Sequence, residues 1–228
     1  MSSKSGSRFY LVMGVVMTLL VIAGFGMAAI GRGVNPAELP LLFHLHGLTY
    51  LVWCGLFVTQ ASLIGRQHVS LHRKLGTISP VIVIAMLVTG WLMAKGSYAR
   101  GISPIPDMSV EQFMSFPFAD LVSLALFYSL AVAGRKNALF HKHAMLLAFI
   151  VIMDPPTARL GMSIGFPPFP LLACAALVGA LVWHDRKVHQ SIHLVTWLGV
   201  VWLIFRPVFV FGVAGSEAWA GFATTLFS

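Results

Sequence analysis

Long apolar runs alternate with short polar junctions along this whole chain. The runs cover residues 9–31, 41–64, 75–95, 118–133, 140–154, 167–183 and 192–213. Repeated apolar stretches of about 18 residues or more are the signature of membrane-spanning helices. The pattern predicts an all-α, polytopic membrane bundle of seven transmembrane helices, one domain over 1–228, built as a lead helix and three helix–junction–helix hairpins. The fourth and fifth runs are short, so their ends are expected to move by a few residues. Nothing is left over for a soluble domain.

The three hairpin junctions resemble one another. The first reads Gly65-Arg66-Gln67-His68-Val69-Ser70-Leu71-His72 and the second Gly134-Arg135-Lys136-Asn137-Ala138-Leu139-Phe140-His141. Both place a histidine six positions after the arginine. The third, from Asp185 to His193, keeps that spacing from Lys187 to His193, or else uses His189 as the equivalent. Each hairpin therefore turns on a cationic, histidine-bearing segment.

Composition supports a membrane protein. Of 228 residues, 58% are hydrophobic and 10% charged, against a usual charged share of about 25%. The first run is longer than the ~7–15 residues of a signal-peptide core and lacks a clear cleavage pattern, so it is expected to remain a membrane helix. Cys54 and Cys174 fall inside predicted spans. They read as small packing residues rather than a disulfide framework.

Charge sets an orientation. Ten of the fifteen Lys and Arg lie on the junction side: Lys4, Arg8, Arg66, Arg73, Lys74, Arg135, Lys136, Lys142, Arg186 and Lys187. The other five are Arg32, Lys95, Arg100, Arg159 and Arg206. The positive-inside rule then predicts a bacterial inner-membrane protein with its N-terminus and junctions in the cytoplasm and its C-terminus outside. The net charge of +8 reads as topology plus attraction to anionic headgroups. Cations spread over short loops argue against a nucleic-acid partner. On the outer side, the proline-bearing stretches 101–117, 154–156 and 166–170 mark helix ends and suggest a small cap.

Candidate chemistry rests on nine histidines. His44 and His46 open the second span outside. Seven lie inside: His68, His72, His141, His143, His184, His189 and His193. Helices repeated in parallel can bring junction histidines to one depth, and three imidazoles from three helices would form an open site for zinc, iron or copper. The residues expected to form it are His72, His141 and His189, with His193 as the alternative to His189. Of the i,i+4 pairs His68/His72 and His189/His193, the second is expected to be wholly helical. Arg66, Arg135 and Arg186 would then meet propionates, phosphates or headgroups. The competing reading is that these cations and imidazoles anchor helix ends in the headgroup layer without a ligand.

Arg206 lies roughly 20 Å beyond His193 along a helix, deep in the bilayer, where an unpaired guanidinium is costly. Asp120 and Asp154 are its candidate partners, with snorkelling to the surface as the alternative. Trp53, Gln60 and Trp202 are expected to pack between helices. No Gly-rich phosphate loop or Ser-His-Asp order is present, and Asp185 is the one inner carboxylate. A metal hydrolase needs a carboxylate base near its metal, so this shortage weighs against hydrolysis.

His44-Leu45-His46-Gly47, Leu71-His72-Arg73-Lys74-Leu75-Gly76 and His141-Lys142-His143-Ala144-Met145-Leu146-Leu147-Ala148 resemble a group of uncharacterised bacterial seven-helix inner-membrane proteins. The junctions are loosely similar to those of small membrane proteins of haem or oxidase assembly. His189-Gln190-Ser191-Ile192-His193 resembles the last-helix pair of the adiponectin-receptor and alkaline-ceramidase superfamily. The Ser and Asp which that superfamily carries near its second span do not match here. The inner histidines also resemble the His boxes of membrane desaturases, without the adjacent His-His of that class. Three expectations follow: a membrane protein that binds haem or a transition metal in a respiratory or redox-accessory role, with a respiratory complex as partner; a metal-dependent lipid-modifying enzyme; or a non-catalytic carrier or structural module.

Overall fold

The computed structural model describes residues 2–101 and 103–228, and among these every regular element is a helix. The lead helix α1 (Ser2–Gly31) runs from what we term the basal end of the bundle to the distal end. α2 (Leu41–Gly65) returns, α3 (Val69–Gly76) turns the basal corner, and α4 (Ser79–Ala99) runs out again. A short α5 (Val110–Phe113) leads into α6 (Ser115–Ala133), which returns. α7 (Ala138–Ile150) and α8 (Asp154–Ser163) together make the next outward pass. α9 (Phe169–His189) and α10 (Leu194–Val208) form the last hairpin, and α11 (Glu217–Phe227) closes the chain. Six segments are long and apolar enough to cross a membrane. α7 and α8, bent by 40° at their junction, make a seventh when taken as one span.

The bend corrects the expected end of the fifth span at Asp154. Asp154-Pro155-Pro156 does not stop the chain from being helical. The prolines sit in the first turn of α8, where the missing N–H would have had no helical partner anyway. Only residues 151–153 interrupt the helix. The third junction also differs from expectation. α9 continues to His189, with Arg186, Lys187 and His189 in its last turn, where cations suit the helix dipole. Gln190 then takes a left-handed conformation, φ 58°, and His193 caps α10 by accepting the Val195 N–H on Nδ1. His189 and His193 are therefore split by a turn. His68 instead precedes the first turn of α3 without a side-chain cap bond, and its carbonyl accepts the His72 N–H.

α7 is the centre of the bundle. Every residue from His143 to Met153 except the half-buried Met145 is buried, as suits a helix apolar on all sides. α1, α6, α9 and α10 surround it. Close approaches use glycine. Gly24 of α1 lies against the Pro156 carbonyl of α8, and a side chain on Gly199 of α10 would strike Leu147 Cδ2 at 2.7 Å. Small residues permit such contacts between membrane helices. The outward faces carry Leu19, Leu51, Val81 and Ile204 exposed, as a lipid-facing surface requires.

The distal end holds a separate small core of Ala94, Met114, Ala214, Trp219, Ala223 and Phe227. Trp219 Nε1 donates to the Glu111 carbonyl at 2.7 Å, and Tyr98 Oη to Thr224 Oγ1 at 3.1 Å. α5 and α11 thus form a small cap at the distal end, with α11 as an element additional to the seven predicted helices. The last span ends differently from a plain helix: after Pro207, residues Phe209–Val213 form a π-helical turn, a usual response to a proline in the ladder.

Candidate functional site

The basal end gathers six of the seven histidines expected on the inner side into two groups, and His68 is exposed. His72, on α3, faces His141, on α7, with ring centres 6.4 Å apart and planes at 83°. Asn137 sets the start of α7 by accepting the Leu139 and Phe140 N–H groups. Gly134 makes room in the turn for the Phe140 ring. His141 Nδ1 lies 2.8 Å from the Ala131 carbonyl. A carbonyl can only accept, so Nδ1 carries the hydrogen and Nε2 the lone pair. Fixing the tautomer through the other nitrogen is how metal-binding histidines are commonly oriented. His72 Nδ1 is buried without a hydrogen-bond partner.

The second group surrounds Asp185. His143 Nε2 lies 2.6 Å from Asp185 Oδ1, and His143 Nδ1 lies 2.7 Å from the Leu139 carbonyl. Asp185 Oδ2 accepts the Thr196 hydroxyl at 2.6 Å and the His193 N–H at 2.9 Å. The carboxylate therefore ties α7 and α9 to the first turn of α10. The His193 ring centre is 4.9 Å from that of His143, and His189 is 6.3 Å from His143 and 6.2 Å from His184. His184 stacks on Phe9 at 4.0 Å, while Tyr10 Oη lies 3.2 Å from His143 Nδ1. His184 Nε2 and His189 Nε2 are buried without partners. Burial holds His193 below the ordinary histidine range, and neighbouring imidazoles and Lys142 act the same way against the opposing pull of Asp185.

Of the three histidines expected to converge, the structure pairs His72 with His141 and places His189 with His184 and His143 instead. Among the described residues, no group of three or more His, Cys, Asp or Glu side chains could hold a metal ion. Arg66, Arg135 and Arg186 are exposed, and Arg135 Nη1 donates to the Val132 carbonyl. Sequence reasoning passed over Asp185 and His143 as site residues. The signal was present in His141-Lys142-His143, because alternate residues on a helix point to nearly opposite faces.

The deep charges pair directly. Arg206 Nε and Nη2 donate to Asp120 Oδ1 at 3.1 and 2.9 Å, and Nη2 also reaches Asp154 Oδ2 at 2.9 Å. Trp202 Nε1 donates to Ser123 Oγ at 2.9 Å one turn away. Trp53 packs edge-on against Tyr128 and Phe149. His44 is exposed, and His46 packs on Tyr50 at 4.5 Å. No family model, curated protein or solved structure matches the chain.

Proposed function

We propose that this is an inner-membrane protein of redox-accessory role that ligates a haem iron through paired imidazoles at its basal, cytoplasmic end. The observation that carries the reading is the His72–His141 pair. One imidazole has its Nε2 lone pair fixed by the Ala131 carbonyl, and the other has an unpartnered buried Nδ1. A buried polar atom left without a partner costs about 1–3 kcal/mol, which a ligand at this point would relieve. With metal–nitrogen bonds of about 2 Å, two imidazoles on one metal have ring centres at most roughly 6 Å apart, close to the separation of this pair.

Two imidazoles are too few for a zinc site, which takes three or four protein ligands. Haem iron already has its equatorial nitrogens and takes axial histidines from the protein. A bare transition ion would need its remaining ligands from water or a partner subunit, such as a respiratory complex. Arg66 and Arg135, on the same two junctions, are suited to propionates or headgroups. The excess of cations at the basal end favours a cytoplasmic N-terminus.

The test is an absorption spectrum with elemental analysis on detergent-purified protein, beside a His72→Ala, His141→Ala variant. A Soret band lost in the variant supports the reading. Stoichiometric metal without a Soret band moves it to a bare ion. Protein with neither, even when isolated in native lipid, removes it in favour of a carrier or structural role, and lipid turnover would favour the enzyme reading.

A further inference from the structure

The distal end carries a cleft of about 580 Å³ between the last turns of α1 and α8, lined by Met27, Ile30, Arg32, Arg159 and Met162 among others. Two guanidinium groups share this cleft. Among the described residues neither pairs with a carboxylate, in contrast to Arg206. Arg159 is held in place: its Nη1 donates to the Pro155 carbonyl at 3.0 Å, and the guanidinium lies 4.6 Å over the Phe25 ring. Arg32 is exposed just past the end of α1. The tight α1–α8 contact at Gly24 fixes the spacing of the two helices that carry them.

Two like charges brought together without a counter-ion repel each other, and an anion between them removes that repulsion. Arginine forks match phosphate oxygens geometrically. The rest of the lining is apolar apart from Ser163, and Ile30 and Met162 are exposed beside the cations. The cleft lies where the α1 span ends, at Gly31, which is the depth of a lipid headgroup. Polar and apolar parts are thus arranged as in a phosphodiester lipid.

We infer that this cleft binds an anionic phospholipid, its phosphate between Arg32 and Arg159 and its acyl chains along Met27, Ile30 and Met162. The site is at the opposite end of the bundle from the His72–His141 pair and is independent of it.

The experiment is native mass spectrometry and thermal unfolding of the full chain in a neutral detergent. The probes are dioleoylphosphatidylglycerol, dioleoylphosphatidylcholine and inorganic phosphate. The expected result is a retained phosphatidylglycerol adduct and a rise in Tm. Both fall at least tenfold in apparent affinity in Arg32→Gln and in Arg32→Gln, Arg159→Lys, and persist in Arg100→Gln. Arg32 is exposed, so its variant keeps the fold even if a change at Arg159 does not. Equal phosphatidylglycerol binding by wild type and Arg32→Gln overturns the site. Equal affinity for phosphatidylcholine, or a comparable shift with inorganic phosphate alone, overturns the anionic-lipid assignment.

Discussion

The imidazole of His143 lies 2.6 Å from the carboxylate of Asp185, and neither side chain reaches solvent. Nε2 faces the carboxylate, which also accepts two further donors, and Nδ1 lies between the Leu139 carbonyl and the Tyr10 hydroxyl. Buried hydrogen-bonding partners hold a structure strongly only while both are present. Asp185→Ala is expected to cost about 3–5 kcal/mol, because the donors it strands, on His143, Thr196 and the first turn of α10, cost about 1–3 kcal/mol each. Thr196→Val, which removes one hydrogen bond, is expected to cost about 1 kcal/mol. Denaturant unfolding in mixed micelles measures both, and equal small losses would contradict the network.

Arg206 bridges two carboxylates from different helices, Asp120 and Asp154. Arg206→Met leaves two acids facing each other in the membrane, with an expected loss of about 3–5 kcal/mol. Adding Asp120→Asn and Asp154→Asn removes the stranded charges and is expected to restore part of the loss. The restoration is the coupling that a mutant cycle reads. A triple variant less stable than Arg206→Met alone would contradict the triad.

Gly24 and Gly26 lie two residues apart on α1 with opposite surroundings. A methyl group at Gly24 meets the Pro156 backbone, whereas nothing lies within 4 Å of one at Gly26. Backbone cannot move aside as a flexible side chain can. Gly24→Ala is expected to destabilise by about 1–3 kcal/mol, and Gly26→Ala to be neutral or slightly stabilising. Melting temperatures of the two variants, measured side by side, check this.

The fold needs His193 neutral, because its Nδ1 accepts the Val195 N–H and burial disfavours its charge. Its folded pKa is thus below the unfolded value of about 6.5. The unfolded chain binds the proton more readily, so this contribution to stability is complete above about pH 6.5 and is lost as pH falls below it. His193→Asn keeps a capping acceptor that does not titrate. The stability difference between wild type and this variant is expected to shift against wild type between pH 7 and 5. A pH-independent difference would contradict the capping role.

The alternation of apolar runs and cationic junctions made the spans and their order legible, because burying backbone in lipid leaves helices as the spanning form here. Arg206 could be matched to acids because a guanidinium at that depth needs one. Other features depended on tertiary context. Asp154-Pro155-Pro156 looked like a helix end, yet proline at the start of α8 fits a bent continuation of the same pass. Asp185-Arg186-Lys187 looked like a loop, but the carboxylate turns inward to His143 while its neighbours face outward. α11 is a short helix that docks on α5, and no run of membrane-spanning length marks it. The repeat suggested that three junctions converge. His189 instead ends α9 beside His184 and His143, and the left-handed turn at Gln190 separates it from His193.

The most direct test of the imidazole site is a haemin titration of the purified chain in lipid nanodiscs, followed at the Soret band, for wild type and His141→Ala. The account predicts saturation at one haem per chain with the spectrum of a bis-histidine iron, and loss of that spectrum in the variant. A spectrum unchanged by the substitution, or no saturable binding by wild type, would contradict it.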